Sequence, residues 1–141
     1  MAGGREIVLV CLVVTAALTD LRSRRIPNWL TVSGAALGLA LHSWSAGVNG
    51  ALASVEGAAI GLASFIVFFL LGGMGAGDVK LFAAVGALAG PGPLVLIFVF
   101  TGLLGGIVAG VVALRSGNLR ASLPYGAVIA GGALISLLFV R

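Results

Sequence analysis

Carboxylates are the side chains of this sequence whose number and spacing predict acid–base chemistry. The 141-residue chain contains 4 acidic residues, Glu6, Asp20, Glu56 and Asp78, and a single histidine, His42. Two carboxyls held close together share one proton, and such a pair can serve as general base and general acid to a bound water. A metal centre needs about three or four nitrogen, sulfur or oxygen ligands on one surface, so no metal is expected. With one histidine and no Gly-x-Ser-x-Gly elbow, a serine triad is disfavoured.

Composition predicts that membrane-spanning helices hold these carboxylates. The chain is 60% hydrophobic and 9% charged, and its mean hydropathy is +1.23, whereas soluble domains have roughly 25% charged residues. The apolar runs are continuous and lack the alternation of a lipid-facing β-barrel. Helices satisfy every backbone polar group within lipid, so the expected fold class is all-α.

Six apolar segments predict one domain, residues 1–141, folded as a compact bundle of six transmembrane helices. At about 20 residues a span, the chain length allows six short helices with tight loops. The predicted spans are residues 6–19, 29–44, 52–71, 79–89, 94–114 and 125–140. Prolines and glycines at 89–93 predict a turn after the fourth span. Glycine pairs four residues apart predict close helix packing: Gly34 and Gly38, Gly57 and Gly61, Gly86 and Gly90, Gly102 and Gly106, and Gly106 and Gly110.

The basic residues predict the orientation of the bundle. Most of them lie in the odd-numbered loops: Arg22, Arg24, Arg25, Lys80, Arg115 and Arg120. The positive-inside rule makes these loops cytoplasmic and puts both termini, with Arg5 and Arg141, outside. The net charge of +4 then reflects topology and attraction to membrane lipids. No nucleic-acid partner is expected, because the basic residues sit on separate short loops without interleaved aromatic residues.

This topology distinguishes Asp20 and Asp78 from the other two carboxylates. Asp20 ends the first span and Asp78 begins the fourth, so both fall at the cytoplasmic face, while Glu6 and Glu56 fall at the opposite face. Asp20 meets the negative pole of its helix, so it has no evident structural benefit there and a functional role is favoured. Asp78 has two interpretations of equal weight, since aspartate is also a favoured N-cap.

The residues around the two aspartates resemble a known family. Residues 75–80 read Gly-Ala-Gly-Asp-Val-Lys and resemble the Gly-x-Gly-Asp-x-Lys motif of the prepilin peptidases, which are membrane aspartic proteases. Asp20 with its downstream Ile-Pro-Asn at 26–28 resembles the first catalytic aspartate of that family, and Pro-Tyr-Gly at 124–126 also looks like a family segment. The short apolar chain resembles the small type IV leader peptidases of the tight-adherence (Flp) pilus systems.

The resemblance implies a six-helix membrane bundle with Asp20 and Asp78 as the catalytic pair near the cytoplasmic surface. It implies a pilin precursor as substrate, cleaved between its short basic leader and the hydrophobic helix that follows. No cofactor is expected. Longer members of the family carry a cysteine-rich insert and methylate the new N-terminus. This sequence has 1 cysteine and no such insert, which speaks against methylation with S-adenosylmethionine.

Five further residues are candidates for shaping the site. Gly75 and Gly77 could take positive φ and let an extended substrate come close, or they could form a flexible turn. Pro27 fits a helix entry. Asn28 could cap that helix or bind the nearby aspartate. Lys80 could hold a lipid phosphate at the interface, the favoured interpretation, or bind an acidic residue of the substrate.

Two other functions are compatible with a small membrane bundle. A proton-coupled transporter would also use intramembrane carboxylates, but it would need ionisable groups along a path through the bilayer, and the spans have almost none. A non-catalytic subunit of a pilus or secretion machine could keep the aspartates for packing. Nothing in the sequence specifies an oligomeric state.

Overall fold

The bundle consists of helices joined by short connections. The computed structural model describes residues 2–117 and 123–139, and within these ranges it contains no strand. The helices are α1 (Ala2–Ser23), α2 (Asn28–Leu70), α3 (Ala76–Ala89), α4 (Pro91–Ser116) and α5 (Tyr125–Phe139). The predicted all-α fold class is confirmed. Arg120, Arg141 and the last residue of the sixth predicted span lie outside the described residues.

Helix α2 contains a sharp break that divides it into two arms, residues 28–45 and 48–70. Ala46 has φ −139° and ψ 17°, and Gly47 has φ 57° and ψ −134°, all outside the helical region. The positive φ at Gly47 is readily adopted by glycine because glycine has no Cβ. The loop predicted between the second and third spans is thus reduced to these two residues.

Both arms of α2 pack against the same end of α3, which shows that the chain turns back at the break. A Cβ on Gly38, in the first arm, would lie 2.7 Å from the Ala87 carbonyl oxygen, and one on Gly57, in the second, would contact the Gly86 carbonyl oxygen. In a straight helix these two glycines would be roughly 28 Å apart. The described residues therefore form six helical segments in five helices, matching the six predicted apolar segments in order. That all six cross a membrane stays a prediction.

The 14-residue helix α3 lies at the centre of the bundle and contacts each of the other four helices. Leu81, Phe82 and Val85 are completely buried. The rings of Phe82 and Phe65 meet edge to face, with centroids 4.2 Å apart, an arrangement favoured by the ring quadrupoles. Within lipid, helices associate through such close packing, because lipid tails are as apolar as the side chains.

The connection between α3 and α4 is shorter than predicted. Gly90, with φ 78°, is the single residue between the two helices, and Pro91 begins α4. Proline is tolerated in the first turn of a helix, since the N–H groups there have no partner within the helix. The expected turn at 89–93 is therefore one glycine, and the two prolines belong to α4.

The exterior of the bundle is apolar. Leu70, Leu71 and Leu114 are 75%, 78% and 89% exposed, and soluble monomers rarely expose large contiguous apolar surfaces. By length and composition, α2 and α4 are apolar enough to cross a membrane, and α5 is a shorter apolar helix. An exterior of this kind fits a lipid environment.

Glycine pairs mark helix contacts in only part of the bundle. Gly34 lies against Leu12 of α1, and Gly61 lies against the Phe82 carbonyl of α3. Among the described residues, no atom comes within 4 Å of a Cβ placed on Gly102, Gly106 or Gly110. The packing predicted for those α4 pairs does not occur among the described residues.

Candidate active site

Asp20 lies near the C-terminus of α1 and contacts the start of α5. Its side chain is 8% exposed, and its Oδ2 accepts a hydrogen bond of 2.9 Å from the backbone N–H of Gly126. N–H groups in the first turn of a helix have no partner within it and carry partial positive charge. The expectation that Asp20 has no structural benefit is therefore wrong: Asp20 satisfies a helix N-terminus on another element.

Gly126 is the contact residue of Asp20 that the sequence did not identify as part of the site. A Cβ at position 126 would lie 2.9 Å from both Cβ and Oδ2 of Asp20, closer than real side chains approach. Any larger residue would displace the carboxyl. The sequence signal was the Pro-Tyr-Gly segment at 124–126, which carried a resemblance but no assigned role.

Asp78 lies in the first turn of α3 and stabilises that turn. Its Oδ2 accepts a hydrogen bond of 3.1 Å from the Gly75 N–H, the reach back of a third helical residue to the residue that precedes the helix. The interpretation of Asp78 as a capping residue is thus right in assigning it to the start of the helix and wrong in its position. Asp78 is not the N-cap itself, because that position belongs to Gly75.

Asp78 is 9% exposed as a residue and lies ahead of the apolar stretch 79–89 of α3. Burial raises its pKa from 3.8 to about 6; the Gly75 hydrogen bond opposes that rise, and the charge of Asp20 adds to it. The neutral form of Asp78 is therefore accessible near neutral pH. This behaviour suits a general acid.

Three helix ends meet at the two aspartates: the C-terminus of α1 and the N-termini of α3 and α5. Asp20 and Asp78 act on each other electrostatically, and the charge of Asp78 also acts on the Tyr125 phenol. Tyr125 and Gly126 are consecutive residues, so one turn of α5 lies beside both aspartates. We call this part of the bundle the dyad end.

The glycines of the 75–80 motif do not have the conformation expected of them. Gly75 has φ −82°, and neither Gly75 nor Gly77 has positive φ. A Cβ on Gly77 would lie 3.3 Å from Cβ of Ile26, so this glycine gives room to the connection between α1 and α2. Pro27, with φ −64° and ψ 138°, directly precedes α2, as predicted for a helix entry.

Asn28 and Lys80 bind each other. Lys80 Nζ donates a hydrogen bond of 3.1 Å to Asn28 Oδ1 on the exposed side of the dyad end. Asn28 is the first residue of α2 rather than its cap, and among the described residues its side chain binds neither aspartate. The contact joins the start of α2 to the second turn of α3, an arrangement that the sequence did not predict.

The chemistry available at the dyad end is that of a carboxyl pair. Among the described residues, no group of three or more His, Cys, Asp or Glu side chains could hold a metal ion. Each aspartate has one oxygen bound to a backbone N–H. Within the described part of the chain, no group donates a hydrogen bond to either Oδ1, which leaves these two oxygens for a water or a substrate.

Comparison with known proteins gives the family of this chain. The sequence model of the type IV leader peptidase family matches residues 7–110, a range that includes both aspartates. The chain is 33% identical to a prepilin leader peptidase/N-methyltransferase of Bacillus subtilis (strain 168), over 94% of this chain and 54% of that protein. It is also 33% identical to a protein of the same name from Xanthomonas campestris pv. campestris, over 91% and 47%.

The chain belongs to the type IV leader peptidase family. It spans about half the length of the curated relatives it matches. No solved structure matches it.

Proposed function

We propose that the protein is an intramembrane aspartic endopeptidase that removes the short basic leader from a type IV or Flp-type pilin precursor. Asp20 and Asp78 are the catalytic pair. The observation that carries the proposal is the meeting of these two buried carboxyls at one end of the bundle, in a chain of a leader peptidase family. The substrate follows from that family and from the names of its relatives.

The reaction uses the two carboxyls as one unit that shares a proton. The ionised aspartate takes a proton from water as the water oxygen attacks the carbonyl carbon of the scissile bond. Its protonated partner donates to the carbonyl oxygen, where negative charge develops. When the tetrahedral intermediate collapses, a proton passes to the leaving nitrogen and the C–N bond breaks. The Oδ1 atoms of the pair, to which no group in the described part of the chain donates, are suited to the water and to the carbonyl oxygen.

The hydrogen bonds at the dyad end support this chemistry. Each aspartate has its Oδ2 fixed by a backbone donor at a helix N-terminus, which orients the other oxygen. Like charges placed together destabilise a fold, and such arrangements are concentrated at functional sites. A packing role for the pair would not require two acidic groups that repel each other.

The dyad end faces the cytoplasm in this proposal. Arg22, Arg24 and Arg25 follow Asp20 directly, and the positive-inside rule puts such a loop in the cytoplasm. The basic leader of a pilin precursor would then be cleaved on the side where the precursor is made. A cysteine introduced at Arg24 in a Cys11→Ala background should react with a membrane-impermeant reagent only from the cytoplasmic side, and labelling from outside would contradict this topology.

The catalytic test is cleavage of a purified pilin precursor by the protein in detergent. Asp20→Asn and Asp78→Asn should each reduce leader release at least a thousandfold, because an amide can neither accept nor supply the shared proton. Glu6→Gln and Glu56→Gln are matched controls and should stay within about twofold of wild type. Substantial cleavage by a well-folded Asp20→Asn or Asp78→Asn protein would rule out the aspartic mechanism.

A further inference from the structure

The first turn of α5 contributes no acidic residue to the catalytic pair, but it contacts Asp20 through Gly126. We propose that Gly126 is a positioning residue: its backbone N–H holds the Asp20 carboxyl in its catalytic orientation, and its missing side chain provides the space that the carboxyl occupies. This inference rests on the proposed function and identifies a further residue that the reaction requires.

The contact is close and buried. Gly126 N–H donates to Asp20 Oδ2 at 2.9 Å, and the bond is buried. A Cβ on Gly126 would lie within 3.0 Å of Cβ, Cγ and Oδ2 of Asp20. These atoms belong to a short side chain anchored on α1, so rotation of the Asp20 side chain can do little to relieve the clash. An alanine at this position would push the carboxyl away from the dyad.

The two aspartates differ in where their hydrogen-bond donors come from. Asp78 receives its N–H from Gly75, three residues earlier in its own helix turn, so that bond forms whenever α3 forms. Asp20 receives its N–H from a residue 106 positions later in the chain. The orientation of Asp20 therefore depends on the docking of α5 against α1. Since Tyr125 of the same turn lies within the electrostatic reach of Asp78, a shift of this turn would disturb the whole pair.

The N–H also stabilises negative charge on the pair. A hydrogen bond donated to a carboxylate stabilises it over the carboxylic acid, and the partial positive charge at the N-terminus of α5 acts in the same direction. Without this donor, the first ionisation of the pair moves to higher pH. The acid-side limb of the pH profile of kcat/KM, which reports that ionisation, should move with it.

Two variants separate the space from the hydrogen bond. Gly126→Ala keeps the N–H and adds the Cβ. Replacing the Tyr125–Gly126 amide by an ester, through incorporation of glycolate at position 126, removes the N–H and adds no bulk. Gly131→Ala is the matched control in the same helix, because its Cβ would meet only the end of the Leu104 side chain, which can move.

With the pilin precursor as substrate, both Gly126 variants should lower kcat about tenfold to a hundredfold with little change in KM. The ester loses a hydrogen bond to a charged group, and the alanine displaces the carboxyl that accepts this bond. The ester should also move the acid-side limb upward by about one pH unit. Gly131→Ala should match wild type. If the alanine variant does not fold, the ester alone decides.

The outcomes distinguish this inference from the proposed function. If wild type does not cleave, or if Asp20→Asn cleaves as well as wild type, the proposed function fails. If wild type cleaves and Asp20→Asn does not, but the ester retains wild-type kcat and an unmoved acid-side limb, Gly126 has no positioning role. A loss of thermal stability in the ester, with the pH profile unchanged, would likewise assign Gly126 to packing alone.

Discussion

The two ends of the bundle differ in which polar groups they bring together. At the end opposite the dyad, which we call the distal end, Arg5 Nη1 lies 3.1 Å from Nδ1 of His42, and His42 Nε2 lies 3.0 Å from the Leu88 carbonyl oxygen. The same Arg5 nitrogen lies 3.2 Å from Nε2 of His42, and the Leu88 carbonyl can only accept, so Nε2 donates to it. No acidic side chain takes part in these contacts. At the dyad end, two acidic side chains, Asp20 and Asp78, are close enough to act on each other electrostatically.

This difference separates groups arranged for stability from groups arranged for chemistry. At the distal end, hydrogen bonds join an arginine, a histidine ring and a backbone carbonyl, and these bonds stabilise the fold. It also contains a cavity of about 170 Å³ lined in part by Arg5, Glu6 and Ser136. The juxtaposition of two acidic groups at the dyad end, which stability does not explain, supports the active site proposed there.

The largest expected effect tests whether the two aspartates act as a unit. The double variant Asp20→Asn/Asp78→Asn should be no less active than either single variant, because groups that share one proton give strongly non-additive losses. The measurement is the single-turnover rate of leader release from a pilin precursor. The matched double variant Glu6→Gln/Glu56→Gln should remain within about twofold of wild type. Losses that multiply in the Asp double variant would show that the two residues act independently.

Replacing a buried polar side chain should lower the stability of the fold at the distal end and raise it at the dyad end. His42→Ala removes the donor to the Leu88 carbonyl and the acceptor for Arg5, so it should lower the free energy of unfolding in detergent by about 1–3 kcal/mol. The folded fraction should keep wild-type kcat. Ser43→Ala is the matched control, because this exposed hydroxyl bonds only within its own helix. A loss of kcat without a loss of stability would show that His42 takes part in catalysis.

At the dyad end, Asp78→Asn should abolish activity yet stabilise the fold at neutral pH. The folded pKa of about 6 is above the ordinary value of 3.8. The stability that protonated Asp78 contributes is therefore fully present below about pH 4 and is lost as pH rises through about 6. A neutral amide avoids that loss, so the gain at pH 7.5 should be at most about 3 kcal/mol. Thermal unfolding in detergent at pH 4 and pH 7.5 measures it.

The matched control for Asp78→Asn is Glu56→Gln, which neutralises an exposed carboxylate and should change stability little at either pH. An equal gain for Asp78→Asn at pH 4 and at pH 7.5 would show that the ionisation of Asp78 is not its source. A loss of stability at both values would show that the Gly75 hydrogen bond matters more than the charge.

Local sequence signals predicted the helices and the shared end of the aspartates. Continuous apolar runs gave six segments in the right order, and the places of Asp20 and Asp78 at the ends of their segments put them together. The prediction that Asp20 has no structural benefit was wrong, because it considered only the dipole of α1. The favourable dipole belongs to α5, which begins more than 100 residues later.

Packing between helices was less predictable, for a physical reason. A helix that is apolar all round has no amphipathic face, so the sequence does not say which side of α4 meets α5 and which meets lipid. The glycine pair Gly102 and Gly106 therefore suggested a contact that does not form within the described chain. Nor did any local signal reveal that Lys80 and Asn28, 52 positions apart, would meet.

The smallest expected effect concerns that contact at the exposed edge of the dyad end. The hydrogen bond from Lys80 Nζ to Asn28 Oδ1 joins the second turn of α3 to the first turn of α2, and Lys80 is two residues beyond Asp78. Exposed contacts of this kind contribute about 0.2–1 kcal/mol, so Lys80→Ala and Asn28→Ala should each lower kcat/KM about two- to fivefold. If the loss of this hydrogen bond causes the decrease in kcat/KM, the double variant should lose no more kcat/KM than either single variant.

Lys80→Gln separates the bond from the charge, because the amide can still donate to Asn28 but carries no positive charge. Near wild-type kcat/KM in Lys80→Gln, with a loss in Asn28→Ala, assigns the effect to the hydrogen bond. If Lys80 instead binds a lipid phosphate or an acidic residue of the substrate, Lys80→Gln should be as impaired as Lys80→Ala, and Asn28→Ala should match wild type. Complete loss of cleavage in a well-inserted Lys80→Ala protein would contradict both interpretations, since an exposed bond cannot supply an effect as large as that of the aspartates.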